Sequence, residues 1–245
     1  MAFSAADLES RFALKAAIRH AAPNLSVGLM AADSMAYGAA VAELEAAGTS
    51  LLHFDLMDGV FCPAFTAGPP LVAATRTRML KDVHLMVADP LAVIPAALKA
   101  GADIVHVHPE GFSHLHRALA MLDVDVAGKP GRKVLRAAAL NPGTPVDILA
   151  PLLDAVDMVT LLAVDPGWSG GGPDAALGRK IDRLRSLSTE IGVDPLIAID
   201  GGITEATIGL AAAFRPDIIV SGSAVFKAGA SIADNLEGLR RAAAR

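Results

Sequence analysis

Leu51-Leu52-His53-Phe54-Asp55-Leu56-Met57-Asp58-Gly59 is the stretch on which the reading of this chain turns. It starts as a compact apolar run, the pattern of a strand buried on both faces. It closes on two side chains able to ligate a metal, His53 and Asp55. Two residues apart on a strand, they project to the same side. Met57 continues that phase. Asp58 falls out of it and precedes glycine, as a turn or capping residue does. An imidazole and a carboxylate at one strand end make half of a site, so the fold must bring other strand ends alongside to supply the rest.

Outward from this stretch, one unit repeats: a short strand, a loop, an alanine-rich helix and a turn. The pattern predicts strands at about 26–30, 51–55, 82–86, 104–108, 134–139, 158–162, 196–200 and 218–221. Helices are predicted at about 34–47, 70–80, 90–100, 113–122, 146–154, 174–191, 205–213 and 231–243. Ala47-Gly48 and Ala100-Gly101 place glycine where a helix ends in the left-handed conformation. Such alternation points to an α/β fold, a closed (β/α)8 barrel, with an open doubly wound sheet as the alternative. An amphipathic helix over residues 3–22, capped by Ser4 and carrying Leu8, Phe12, Ala16 and Ile18, precedes the repeat as a packing or interface helix. Asp123–Lys133 is irregular and is expected as a surface excursion. Without a composition break or long linker, residues 1–245 are expected to form one barrel domain, with residues 1–24 as an N-terminal helical extension.

Composition narrows the function classes. The chain is 53% hydrophobic, yet no apolar run reaches the roughly 18 residues a membrane span needs. Its formal net charge is −5, with no long run of either sign, which argues against nucleic acid as the main partner. Its only cysteine, Cys62, excludes an internal disulfide framework and suits a reducing compartment. No basic-then-apolar leader opens the chain, so the expected location is cytoplasmic. High apolar content also fits a homo-oligomer.

In a barrel, chemistry collects at the C-terminal strand ends. The second strand ends in His53 and Asp55, the third in His84 followed by Leu85-Met86, and the fourth in His108 with Glu110 just beyond. The seventh ends in Asp200. Polar groups ending several apolar strands are costly to bury unless paired or metal-bound. His53, Asp55, His84 and Asp200 form a mixed nitrogen and oxygen donor set that suits zinc, manganese, iron or cobalt. Glycines form a second constellation. Asp165-Pro166-Gly167-Trp168-Ser169-Gly170-Gly171-Gly172 follows the sixth strand, Gly201-Gly202 the seventh, and Ser221-Gly222-Ser223 the eighth. Backbone amides in such loops bind phosphate without a basic residue.

Taken together, these segments resemble the ribulose-phosphate 3-epimerase family of sugar-phosphate epimerases. The resemblance rests on His53 through Gly59, Asp82-Val83-His84-Leu85-Met86-Val87, Ala102-Asp103-Ile104, and His108-Pro109-Glu110. Further segments are Leu140-Asn141-Pro142-Gly143-Thr144-Pro145, Val164-Asp165-Pro166-Gly167, Ile199-Asp200-Gly201-Gly202-Ile203 and Gly222-Ser223-Ala224-Val225-Phe226. They follow in family order over about residues 25–230.

The resemblance implies a metal-dependent epimerase that inverts C3 of a ketose phosphate, foremost ribulose 5-phosphate to xylulose 5-phosphate. It implies one divalent ion per subunit, usually zinc, on His53, Asp55, His84 and Asp200. Asp55 and Asp200 are implied as the acid/base pair acting through a metal-stabilised enediolate, with substrate or phosphate near Gly28, Met57, His84, Met86, Gly170, Gly171, Gly201, Gly202, Gly222 and Ser223. The loop from Pro166 matches a flexible lid. The chain departs from the family where Gly28 replaces a substrate-facing serine, where Leu162 replaces a methionine, and in the Trp168–Gly171 run. Leu29-Met30, His108-Pro109-Glu110 and Val164 through Gly167 look more like the allulose-6-phosphate 3-epimerase branch. Two other classes compete: a metal-independent phosphate-binding barrel lyase, which needs no His53–His84 pair, and a non-catalytic sugar-phosphate binder.

Overall fold

The computed structural model describes residues 10–244. Eight parallel strands close into a barrel in sequence order: β1 (Asn24–Gly28), β2 (Leu51–Met57), β3 (Leu80–Met86), β4 (Ile104–Val107), β5 (Leu135–Leu140), β6 (Met158–Leu162), β7 (Leu196–Asp200) and β8 (Ile218–Ser221). β8 pairs back onto β1. The open doubly wound alternative is thereby excluded. Around the barrel lie α2 (Tyr37–Ala46), α3 (Pro69–Ala74), α4 (Pro90–Lys99), α5 (Leu115–Met121), α6 (Ala175–Ile191), α7 (Ile208–Ala213) and α8 (Ile232–Ala243).

The repeat was legible, but several boundaries move. The first strand starts at Asn24 and ends at Gly28, and residues 29–31 form a 3-10 turn. The third helix stops at Ala74. After β5, Val146–Ala155 winds as a 3-10 helix with Pro151 inside it. Proline has no N–H to give to an α-helical bond there. The passage from Asp123 to Lys133 closes on an Asp125–Lys133 bridge, with Val126 buried beneath it.

The helix preceding the barrel, α1, spans Arg11–His20, and the Ser10 hydroxyl accepts from Ala13 N at its start. The predicted cap Ser4 and the predicted face residue Leu8 lie outside the described residues. Leu14 and Ile18 of α1 pack against Leu51, Leu80, Ile104, Leu135, Met158, Leu196 and Ile218, which are the first residues of β2 to β8. The helix is therefore a plug under the barrel. Burying each of these two side chains contributes roughly 1.5–3 kcal/mol. Arg11 ties one end of the plug to Asp123 (2.9 Å) and Asp157 (3.3 Å), and Arg19 ties the other to Asp194 (2.5 Å) and Asp217 (3.3 Å).

Candidate active site

Above the apolar ring the barrel interior turns polar. Ser26, His53, Asp82, His106 and Thr160 are all fully buried. Asp82 is the acceptor at the centre: Ser26 Oγ donates to it at 2.7 Å, His53 Nδ1 at 2.8 Å, and His106 Nε2 also donates. Thr160 Oγ1 lies 2.8 Å from His106 Nδ1. A carboxylate only accepts, so Nδ1 of His53 carries a proton and its Nε2 is the atom turned toward the strand ends. Burial alone would push the Asp82 carboxyl up, but the facing His106 and His53 outweigh it and hold it well below its ordinary range.

One layer higher, β2 and β3 pair with Asp55 opposite His84 and Met57 opposite Met86. Ligand atoms of His53, Asp55, His84 and Asp200 lie within 4.8 Å of one another. The barrel thus brings together the four residues singled out by strand phase. His53 Nε2 is 3.2 Å from Asp55 Oδ1 and 3.9 Å from Asp200 Oδ2. His84 Nδ1 is 3.3 Å from Asp55 Oδ1 and 3.5 Å from Asp200 Oδ2. Among the described residues this buried Nδ1 has no hydrogen-bond partner. An orphaned buried nitrogen costs about 1–3 kcal/mol. Facing two carboxylates and a second imidazole, it has the surroundings of a ligand to a divalent cation.

Electrostatics point the same way. Burial opposes charge on His53, yet Asp82 and Asp55 together hold its pKa well above the ordinary value. Burial likewise opposes charge on His84, and Asp200 and Asp55 raise it. Burial would raise Asp55, but His53 and His84 pull it far below the usual carboxylate range. The carboxylates thus favour positive charge at these imidazoles, a balance a divalent cation would take over.

The remaining predicted residues surround this cluster. A Cβ placed on Gly28 would sit 3.9 Å from Asp55 Oδ2 and 3.4 Å from Gly222 Cα, so the end of β1 and the loop after β8 meet beside the carboxylates. Gly170, Gly171, Gly201 and Gly202 all have positive φ. A Cβ on Gly202 would lie 2.5 Å from Gly171 O, so the loops after β6 and β7 touch backbone to backbone. Only glycine permits that approach. Ser223 is exposed. Asp58 serves the turn: it accepts from Val60 N and Phe61 N (both 2.9 Å) and from Ala88 N (2.8 Å).

Sequence reasoning missed Asp82, His106, Ser26 and Thr160. A signal was there: Asp82 precedes His84 by two residues and His106 precedes His108 by two, so period-2 polar positions ran deeper into the strands than their ends. His108 and Glu110 also join the cluster. His84 Nε2 contacts His108 Nε2 at 2.8 Å, and His108 Nδ1 contacts Glu110 Oε2 at 3.3 Å.

Comparison with known proteins gives the same direction. The sequence profile of the Ribulose-phosphate 3 epimerase family matches residues 24–226. The Arabidopsis thaliana chloroplastic ribulose-5-phosphate-3-epimerase is 38% identical over 88% of this chain and 75% of its own length. The Rhodobacter capsulatus ribulose-phosphate 3-epimerase is 37% identical over 90% of this chain and 93% of its own. The LsrE protein of Salmonella typhimurium, an epimerase by name, is 38% identical over 83% of this chain and 81% of its own. In fold, the chain resembles the KGPDC of Streptococcus mutans, with a TM-score of 0.62 over 91% of this chain and 98% of that one, at 16% identity.

Proposed function

Because this chain belongs to the ribulose-phosphate 3-epimerase family, we propose that it inverts C3 of ribulose 5-phosphate to give xylulose 5-phosphate, with Asp55 and Asp200 as the acid/base pair. It is an isomerase acting on carbohydrates, a ketose-phosphate 3-epimerase. Among the described residues no helix is long and apolar enough to cross a membrane.

The observation that carries the reading is the orphaned His84 Nδ1, facing Asp55 and Asp200 beside His53. These four residues would hold one divalent cation, zinc first, with iron, manganese or cobalt as alternatives. Bound there, it supplies Lewis-acid stabilisation of negative charge on the substrate oxygens.

The chain's own groups do the rest. Inversion at a carbon beside a carbonyl needs a proton removed from one face and returned to the other. Asp55 and Asp200, on strands β2 and β7, supply two carboxylates for that exchange. The histidines beside Asp55 keep it ionised. The glycine loops carrying Gly170, Gly171, Gly201, Gly202, Gly222 and Ser223 bind the phosphate and fix C3 between the aspartates. Gly28, Met57, His84 and Met86 border the reacting carbons. The exposed apolar side chains Val60 and Phe65 support a homo-oligomer.

A second reading has its own support. Gly28 leaves room beside Asp55 and Gly222 where a serine side chain would otherwise stand. That space favours a different or longer ketose phosphate such as allulose 6-phosphate. Incubation of the metal-loaded protein in deuterated water with each sugar separates the two. Deuterium at C3 of ribulose 5-phosphate with the higher kcat/KM supports the first reading, and preference for allulose 6-phosphate supports the second. Absence of exchange with every ketose phosphate rejects both.

A further inference from the structure

We infer that His108 and Glu110 form a positioning pair that fixes the ring of His84 and leaves its Nδ1 as a bare lone pair facing Asp55 and Asp200. The inference rests on the metal-site reading above and extends it outward by two residues.

Proton bookkeeping carries the argument. His84 Nε2 and His108 Nε2 are 2.8 Å apart, so one proton lies between two ring nitrogens. Which ring owns it is settled from the far end. Glu110 Oε2 lies 3.3 Å from His108 Nδ1, and a carboxylate can only accept, so Nδ1 of His108 carries a hydrogen. The neutral His108 ring then has its lone pair on Nε2. The proton between the rings therefore belongs to His84 Nε2, which donates. A neutral His84 has no second proton, and its Nδ1 is left bare. That is the buried atom without a hydrogen-bond partner.

Glu110 is itself held in place. Its Oε1 accepts from Asn141 N at 2.8 Å, and Asn141 O accepts from Lys180 Nζ at 2.5 Å. Glu110 sits in a 3-10 turn, Pro109–Gly111. The ring of Phe61 lies 4.7 Å from that of His108, and a Cβ on Gly111 would sit 3.2 Å from the same Phe61 ring. Elements after β4, β5 and β6 thus converge on one carboxylate that acts on His84 only through His108. The other imidazole of the cluster, His53, meets its carboxylate Asp82 directly. Metal-ligating histidines are oriented in this way, and loss of the outer partner costs about 10–100-fold in metal affinity.

Zinc titration of purified wild-type, Glu110→Gln, Glu110→Ala and His84→Ala proteins, alongside melting curves, tests the pair. We expect wild type to bind one zinc per chain and His84→Ala to lose most of that affinity. Glu110→Ala should bind about 10–100-fold more weakly and Glu110→Gln, which keeps size and one acceptor oxygen, should fall between. A purely structural Glu110 would lower the melting temperature while leaving zinc affinity of the folded protein unchanged. Wild-type affinity in Glu110→Gln, which is nearly isosteric and decides the matter if the alanine variant does not fold, overturns the inference while the metal site stands. A wild-type protein that binds no zinc overturns both.

Discussion

The two ends of this barrel are built from the same strands and solve opposite problems. At the N-terminal end, the first residues of β2 to β8 form an apolar ring, and α1 seals it with Leu14 and Ile18. Ion pairs hold the plug there: Arg11 and Arg19 each meet two aspartates. At the C-terminal end, carboxylates and imidazoles crowd within 4.8 Å, and one buried nitrogen has no hydrogen-bond partner. One end is closed by apolar packing, and the other gathers metal-competent groups that a cation and substrate can complete. A hollow of about 770 Å³ opens near the plug beside Arg19, Arg185 and Asp217, but the His53, Asp55, His84 and Asp200 cluster lies toward the other end of the strands.

The largest effect that sharpens this contrast is catalytic. Asp200→Asn should reduce C3 epimerisation by about 10²–10⁴-fold while the melting temperature stays near that of wild type. An Asp200→Asn enzyme running at the wild-type rate would remove the two-aspartate scheme. Changes at the plug should do the reverse. Ile18→Ala should cost about 2–5 kcal/mol of stability, measured by denaturant unfolding, and leave kcat of the folded protein unchanged. If Ile18→Ala instead abolishes activity without destabilising the fold, the separation of the two ends fails.

A pH dependence follows from the upper cluster. Without metal, Asp82, Asp55 and Asp200 raise the pKa values of His53 and His84, so protonation of the nitrogens a cation needs sets in at a higher pH than for a free imidazole. Below those raised values each proton must leave before metal enters, and affinity falls as pH falls. Zinc titrations across about pH 5–8 should weaken by roughly 10–100-fold per unit toward the acid side, with proton release on binding. A flat profile would show that the cation does not replace these protons. The smallest effect is expected at Gly28, whose φ of −69 suits any residue. A Cβ there makes ordinary contact with Gly222 and Asp55. Gly28→Ser should change stability by less than about 0.5 kcal/mol and shift KM between ketose phosphates more than kcat.

What could be read from the residues alone follows the same division. His53 and Asp55 were visible because strand phase puts them on one face, and β6, β7 and β8 were bounded to the residue because turn-forming aspartates and glycines flank short apolar runs. The helix predicted at 146–154 is present as the 3-10 helix Val146–Ala155, where Pro151 removes an N–H that the pattern of apolar residues does not register. The role of Asp82 was hidden for a different reason. A buried carboxylate deep in a strand is favourable only through Ser26, His53 and His106, which come from three other strands, and cross-strand register is not written in local periodicity. The predicted face of α1 was only partly right: Ile18 is buried, but Phe12 and Ala16 are exposed and Leu14 packs inward instead, because the helix's partner, a ring of strand starts spread over more than 160 residues, emerges only on barrel closure.

The account turns on His53, Asp55, His84 and Asp200 forming one metal centre. Anomalous diffraction from zinc-soaked crystals tests that most directly. The predicted result is a single strong peak within bonding distance of His53 Nε2, His84 Nδ1, Asp55 and Asp200. A peak at the His53–Asp82–His106 cluster instead, or none in the barrel, would contradict it.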